Sequence, residues 1–140
     1  MSFKDILAIS GQGGLFRFVS RGRTGVIIES LTDGKKITVP ASARMSSMED
    51  ISIYTLEEDF PLPALLRRIF EKENGGPAIS HKSDNNTLKK YFSEVMPEYD
   101  RDRVYVSDIK KIVQWYNLMQ EKGIISLTEQ SEETTENNAQ

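Results

Sequence analysis

The run from Pro97 to Ile125 constrains this chain most, because it holds the only Trp, three of the five Tyr and the most regular apolar periodicity in the sequence. Ile109, Ile112, Val113, Tyr116 and Met119 recur at helical spacing. Ser107 is a good N-cap, and Asp108 adds an anion where the helix dipole favours one. Lys122 and Gly123 end the pattern, with Ile124 placed to fold back on the last turn. Trp115 and Leu118 widen the apolar face, so this helix is expected to touch more than one neighbour. A helix buried on that scale is expected to be the keystone of a helical core.

The upstream sequence supplies two further helices. Past Leu56-Glu57-Glu58-Asp59, with Asp59 as a possible cap, Leu62, Leu65, Leu66, Ile69 and Phe70 line one helical face until Glu73-Asn74-Gly75-Gly76-Pro77 stops it. A polar loop with the sole His, His81, leads to a second helix from about Asn86 to Met96. Its apolar face is Leu88, Tyr91, Phe92, Val95 and Met96, and Pro97 ends it. Residues 57–125 are therefore expected to form a three-helix domain.

The first part of the chain alternates in strand fashion. Ile6 to Ile9, Leu15 to Ser20, Val26 to Leu31, Lys36 to Pro40 and Ile51 to Tyr54 read as five short strands. Ser10-Gly11-Gln12-Gly13-Gly14 and Arg21-Gly22-Arg23-Thr24-Gly25 are turn-rich, and Asp33-Gly34 is the strongest hairpin signal. Short strands on tight turns predict a small SH3-like or Tudor-like β-barrel over residues 1–56. The expected class is α+β, a barrel followed by a separate helical domain. Residues 126–140, rich in Ser, Thr, Asn and Gln with four Glu and no base, are expected to form a disordered acidic tail.

Charge and composition narrow the function. The net charge is -3, spread unevenly: residues 1–50 hold seven bases and five acids, residues 51–125 eleven and twelve. No apolar run is long enough for a membrane span, and the first residues lack a signal peptide's apolar core, so a cytoplasmic protein without membrane contact is expected. With no Cys, disulfides, thiolate nucleophiles and cysteine-type zinc sites are excluded.

The constellations that could carry chemistry are few. Ser10 to Gly14 resembles a phosphate loop, but no Gly-Lys-Ser/Thr follows and no helix begins there, so a turn is the expectation. Asp100-Arg101-Asp102-Arg103 reads as local charge pairing, and Lys89, Lys90, Lys110 and Lys111 as solvated helix faces. A helix-turn-helix is disfavoured by the long connector after Met96 and by Asp108 at the start of the would-be recognition helix. His81 has no companion for a metal site or a triad. Neither a cofactor nor an enzymatic activity is expected.

What remains is binding. The first expectation is a non-enzymatic protein whose barrel binds RNA or DNA through a basic surface of Arg17, Arg21, Arg23, Lys35 and Lys36, with Phe16 and Phe18 better suited to filling the core than to stacking on bases. The alternative is a protein-interaction adaptor, in which the two modules present a groove to a partner. The overall negative charge favours the adaptor, since affinity for nucleic acid grows with the phosphates neutralised.

Ile9-Ser10-Gly11 with Gly14-Leu15, Val26 to Leu31, Glu49 to Thr55, Tyr99 to Ile112 and Trp115-Tyr116-Asn117-Leu118 resemble a family of uncharacterised two-module Bacteroidetes proteins. The resemblance covers about residues 2–122. It implies a β-rich first unit, a helical second unit and a bacterial cytoplasmic setting, and it brings no catalytic residues.

Overall fold

A computed structural model describes residues 3–124. After a 3-10 turn at Phe3–Asp5 come β1 (Ile6–Ile9), β2 (Phe16–Arg21), β3 (Val26–Ser30), β4 (Lys36–Val39) and β5 (Met45–Ser47). A second 3-10 turn (Met48–Asp50) leads to β6 (Ser52–Ile53), β7 (Phe60–Pro61), α1 (Leu62–Lys72), α2 (Asn85–Val95) and α3 (Val106–Glu121). The first five strands form one antiparallel sheet in the order β4-β3-β2-β1-β5, and β6 pairs with β7. The architecture is mixed α+β. Among the described residues, no helix is long and apolar enough to cross a membrane.

The expected SH3-like or Tudor-like barrel is not found. β4 pairs only with β3 and β5 only with β1, so the sheet stays open. Instead of closing, the sheet packs against the helices through its β1 end, while Arg17 and Lys36 farther along the same face stay exposed. β1 sends Ile9 into a small cluster on the sheet with Phe16, Val26, Ile28 and Val39, and sends Ile6 into the main core beside helical residues. That main core is continuous: Phe3, Ile6, Leu15 and Met48 pack in one cluster with Leu65, Phe92, Ile112 and Tyr116. The expected fifth sheet strand is also corrected. Ile51 to Tyr54 contributes only β6, and its place in the sheet goes to Met45–Ser47, in a stretch whose sequence reads as loop. The expected 56/57 boundary falls in the loop between β6 and β7, and the expected tail at 126–140 lies outside the described residues.

The helical faces are those the spacing predicts. The four apolar positions on α2 and Met96 at its C-cap are buried, as are the five on α3, and on α1 four of five are, with Phe70 half-buried. The α3 start differs by two residues, with Tyr105 rather than Ser107 as N-cap, because the Asp108 carboxylate reaches back to accept the Tyr105 N–H at 3.0 Å. α1 follows Pro61 without a side-chain cap; Asp59 makes none. Asn117 clamps the loop after α1, its side chain accepting from the Ala78 N–H at 2.7 Å and donating to the Ile79 carbonyl at 2.9 Å.

Candidate functional site

The five cations named from the sequence divide into two groups. Register places Arg17, Glu29 and Lys36 side by side across β2, β3 and β4. Arg17 donates through Nε to Glu29 at 3.2 Å, and its guanidinium, helped by Lys36, holds the Glu29 carboxyl below its usual range. Lys35 follows the Asp33-Gly34 turn, its N–H on the Asp33 carboxylate at 3.0 Å. Arg21 and Arg23 lie at the other end of β3, about 13 Å away for a five-residue strand. Both are exposed and make no ion pair among the described residues. The two phenylalanines separate as well. Phe16 is buried, while Phe18, next to a register shift in β2, is 47% exposed.

The alternating run after Tyr99 is occupied locally. Arg103 donates to Asp100 at 2.8 Å and lies 4.3 Å over the Tyr54 ring, and Arg101 lies 4.6 Å over Tyr99. The pairing lowers the Asp100 pKa and raises that of Arg103. The Asp100 N–H donates to the Tyr54 carbonyl, so the motif pins the chain after β6 against the start of α3.

That pinning forms one wall of a cleft that the sequence did not single out. Where the sheet meets α3, two adjoining hollows share Ile51, Lys111 and Trp115. The smaller, about 210 Å³, is largely apolar, with Ile53, Tyr54, Val104 and Ile112 on its walls and Asp108 at its edge. The larger, about 520 Å³, runs between the Ser10–Gly14 loop and α3, with Arg44, Ser46 and Gln114 around it. Trp115 is half-buried between them, which is the second neighbour its extra apolar width called for. Lys111, read from sequence as a solvated helix face, is exposed yet faces this cleft. No group of three or more His, Cys, Asp or Glu able to hold a metal ion occurs among the described residues. His81 is half-buried in another hollow, beside Thr32, Gln114 and Asn117.

Comparison with known proteins returns two family matches. Residues 3–48 match a domain of unknown function (DUF5606), and residues 51–119 match another domain of unknown function (DUF6852). A solution NMR structure from Bacteroides vulgatus, a structural-genomics target, is 40% identical with a TM-score of 0.73, over 87% of this chain and 88% of that one. No curated protein matches.

Proposed function

The chain belongs to a family of unknown function made of these two matched segments and including the Bacteroides vulgatus protein, and from that premise we propose that it is a non-enzymatic interaction adaptor. The partner would be a polypeptide received in the cleft between the Ser10–Gly14 loop and α3. The observation that carries this reading is the position of Trp115, a large aromatic anchor half-exposed where an apolar hollow opens into a polar one. The test is site-specific photocrosslinking. A photoreactive residue at Gln114, an exposed cleft residue, is expected to give a nuclease-resistant adduct with a polypeptide from bacterial extract. The same group at Lys90, on the polar face of α2, is expected to give none. No adduct at 114, or equal labelling at both positions, overturns the adaptor.

A second reading, nucleic-acid binding, is favoured by one observation: Arg21 and Arg23 are exposed and without an ion pair among the described residues, at the end of the strand that carries the exposed Phe18. Arg17, Lys35 and Lys36 add little to it, with Glu29 and Asp33 among them. On the adaptor reading, mixed single-stranded RNA and DNA do not bind at moderate salt. Binding that survives there, and is lost in Arg21→Ala with Arg23→Ala, carries the nucleic-acid reading instead.

A further inference from the structure

We infer that the segment received in this cleft is acidic, with a bulky apolar residue beside its carboxylates; the inference rests on the adaptor reading above. The chain is net negative, yet the larger hollow is positive. Arg44 and Lys111 both line it, both are exposed, and neither makes an ion pair among the described residues. No Asp or Glu lines it. Ion pairs hold Arg17 to Glu29, Arg103 to Asp100 and Arg68 to Glu98 at 3.1 Å, whereas Arg44 and Lys111, like Arg21 and Arg23 at the far end of β3, have none among the described residues. Two cations without an ion pair among the described residues, one just before β5 and one on α3, face one hollow and are the charge complement of a carboxylate-bearing chain.

The Gly-rich loop suits the same ligand. Gly11, Gly13 and Gly14 line the hollow, and their N–H groups have no backbone acceptor among the described residues. A Cβ at Gly11 or Gly13 would meet nothing within 4 Å, so this backbone stands open to close approach. Backbone amides in such a loop supplement cations in holding carboxylates. The loop is a turn into β2, as its sequence suggests, and the cations that make it interesting arrive from elsewhere in the fold.

At the other end the chemistry changes. Ile53, Tyr54, Val104 and Ile112 give a largely apolar hollow of about 210 Å³, room for one large side chain, with Arg103 and Lys111 also on its lining. Its one carboxylate, Asp108, is held by the Tyr105 N–H. Ile51 and Trp115 are common to both ends, so a single extended segment can seat an apolar residue at one end and carboxylates at the other.

Trp115, the only Trp, reports on both ends through its fluorescence. The intact chain is titrated with the capped peptide Glu-Glu-Leu-Phe-Glu-Glu and with its Gln-for-Glu counterpart. The acidic peptide is expected to shift the emission saturably. Its affinity should fall about tenfold or more with the Gln peptide, and likewise in Arg44→Gln with Lys111→Gln, since hydrogen bonds to charged groups are stronger than those between neutral ones. Added salt should weaken the complex. Equal binding of both peptides overturns the acidic chemistry but leaves the adaptor, as does a Gln114 photoadduct with no response to the acidic peptide. Absence of both signals overturns the two together. A ten-nucleotide single-stranded DNA that shifts Trp115 more strongly than the acidic peptide assigns the cations to phosphate and overturns the inference. A shift seen only after Glu129, Glu132, Glu133 and Glu136 are changed to Gln identifies the chain's own acidic segment as the occupant and overturns an external partner.

Discussion

Replacing Phe92 with alanine is expected to lower the free energy of unfolding by about 3–5 kcal/mol, against about 5–15 kcal/mol for a whole domain. Phe92 is 1% exposed and sits on the buried face of α2 between Leu88 and Val95. Its ring meets Tyr99 edge-on, with centroids 4.8 Å apart and planes at 81°, a geometry that adds about 0.5–1.5 kcal/mol to simple burial. Truncation opens a cavity in the one core shared by sheet and helices, and it releases Tyr99. That residue bridges to Thr55, and the adjacent Asp100 holds Tyr54, a wall of the cleft. Urea unfolding followed by far-UV circular dichroism measures the loss. Phe18→Ala is the matched control: with Phe18 47% exposed, its cost should stay within about 0.5 kcal/mol. A loss below about 1 kcal/mol at Phe92 would mean that α2 does not pack as described.

The helices were legible because their signal is local. Leu88, Tyr91, Phe92, Val95 and Met96 fall on one face by spacing alone, and all five are buried. The sheet was legible where a turn announced it, as at Asp33-Gly34, whose glycine has φ 75°. It was illegible where pairing alone makes the strand. Met45–Ser47 has no strand pattern, and it is a strand because Leu7 and Ile9 stand opposite Ser47 and Met45. Closure failed as an expectation for the same reason, since it depends on whether two distant edges meet. Alternation put Phe16 and Phe18 on one face and the register keeps them there, opposite Ser30 and Ile28, yet Phe16 is buried and Phe18 is 47% exposed.

The candidate sites were harder still, because they depend on which charges the fold brings together. Nothing in the spacing of Arg17 and Glu29 says that cross-strand register will pair them. Arg44 and Lys111 lie on different elements, and only the packing of β5 near α3 brings both to one hollow. The signal that pointed there was the excess apolar width at Trp115. It indicated a second contact without saying that the contact would be partly open.

Gly25→Ala is expected to cost at least about 2 kcal/mol, at the upper end of what overpacking usually costs. A Cβ at this position would lie 2.0 Å from the Val39 carbonyl oxygen and 2.9 Å from its carbon. Those atoms are backbone and cannot rotate aside, so β4 must move away from the β2–β3 hairpin. The displaced pair, Val26 opposite Val39, is buried on both sides and anchors the small sheet cluster. Gly34→Ala separates this clash from ordinary glycine strain, because Gly34 has φ 75° with nothing within 4 Å of its Cβ. Its cost should stay near about 1–2 kcal/mol, the left-handed penalty alone. Urea unfolding compares the two, and amide hydrogen exchange in β3 and β4 should quicken only in Gly25→Ala. β4 is a sheet edge and the cleft lies at the β1, β5 and α3 side, so the folded fraction of Gly25→Ala should keep the Trp115 response to the acidic peptide. Loss of that response without loss of α3 would mean that the two ends of the sheet move as one unit, and that the cleft depends on strands it does not touch.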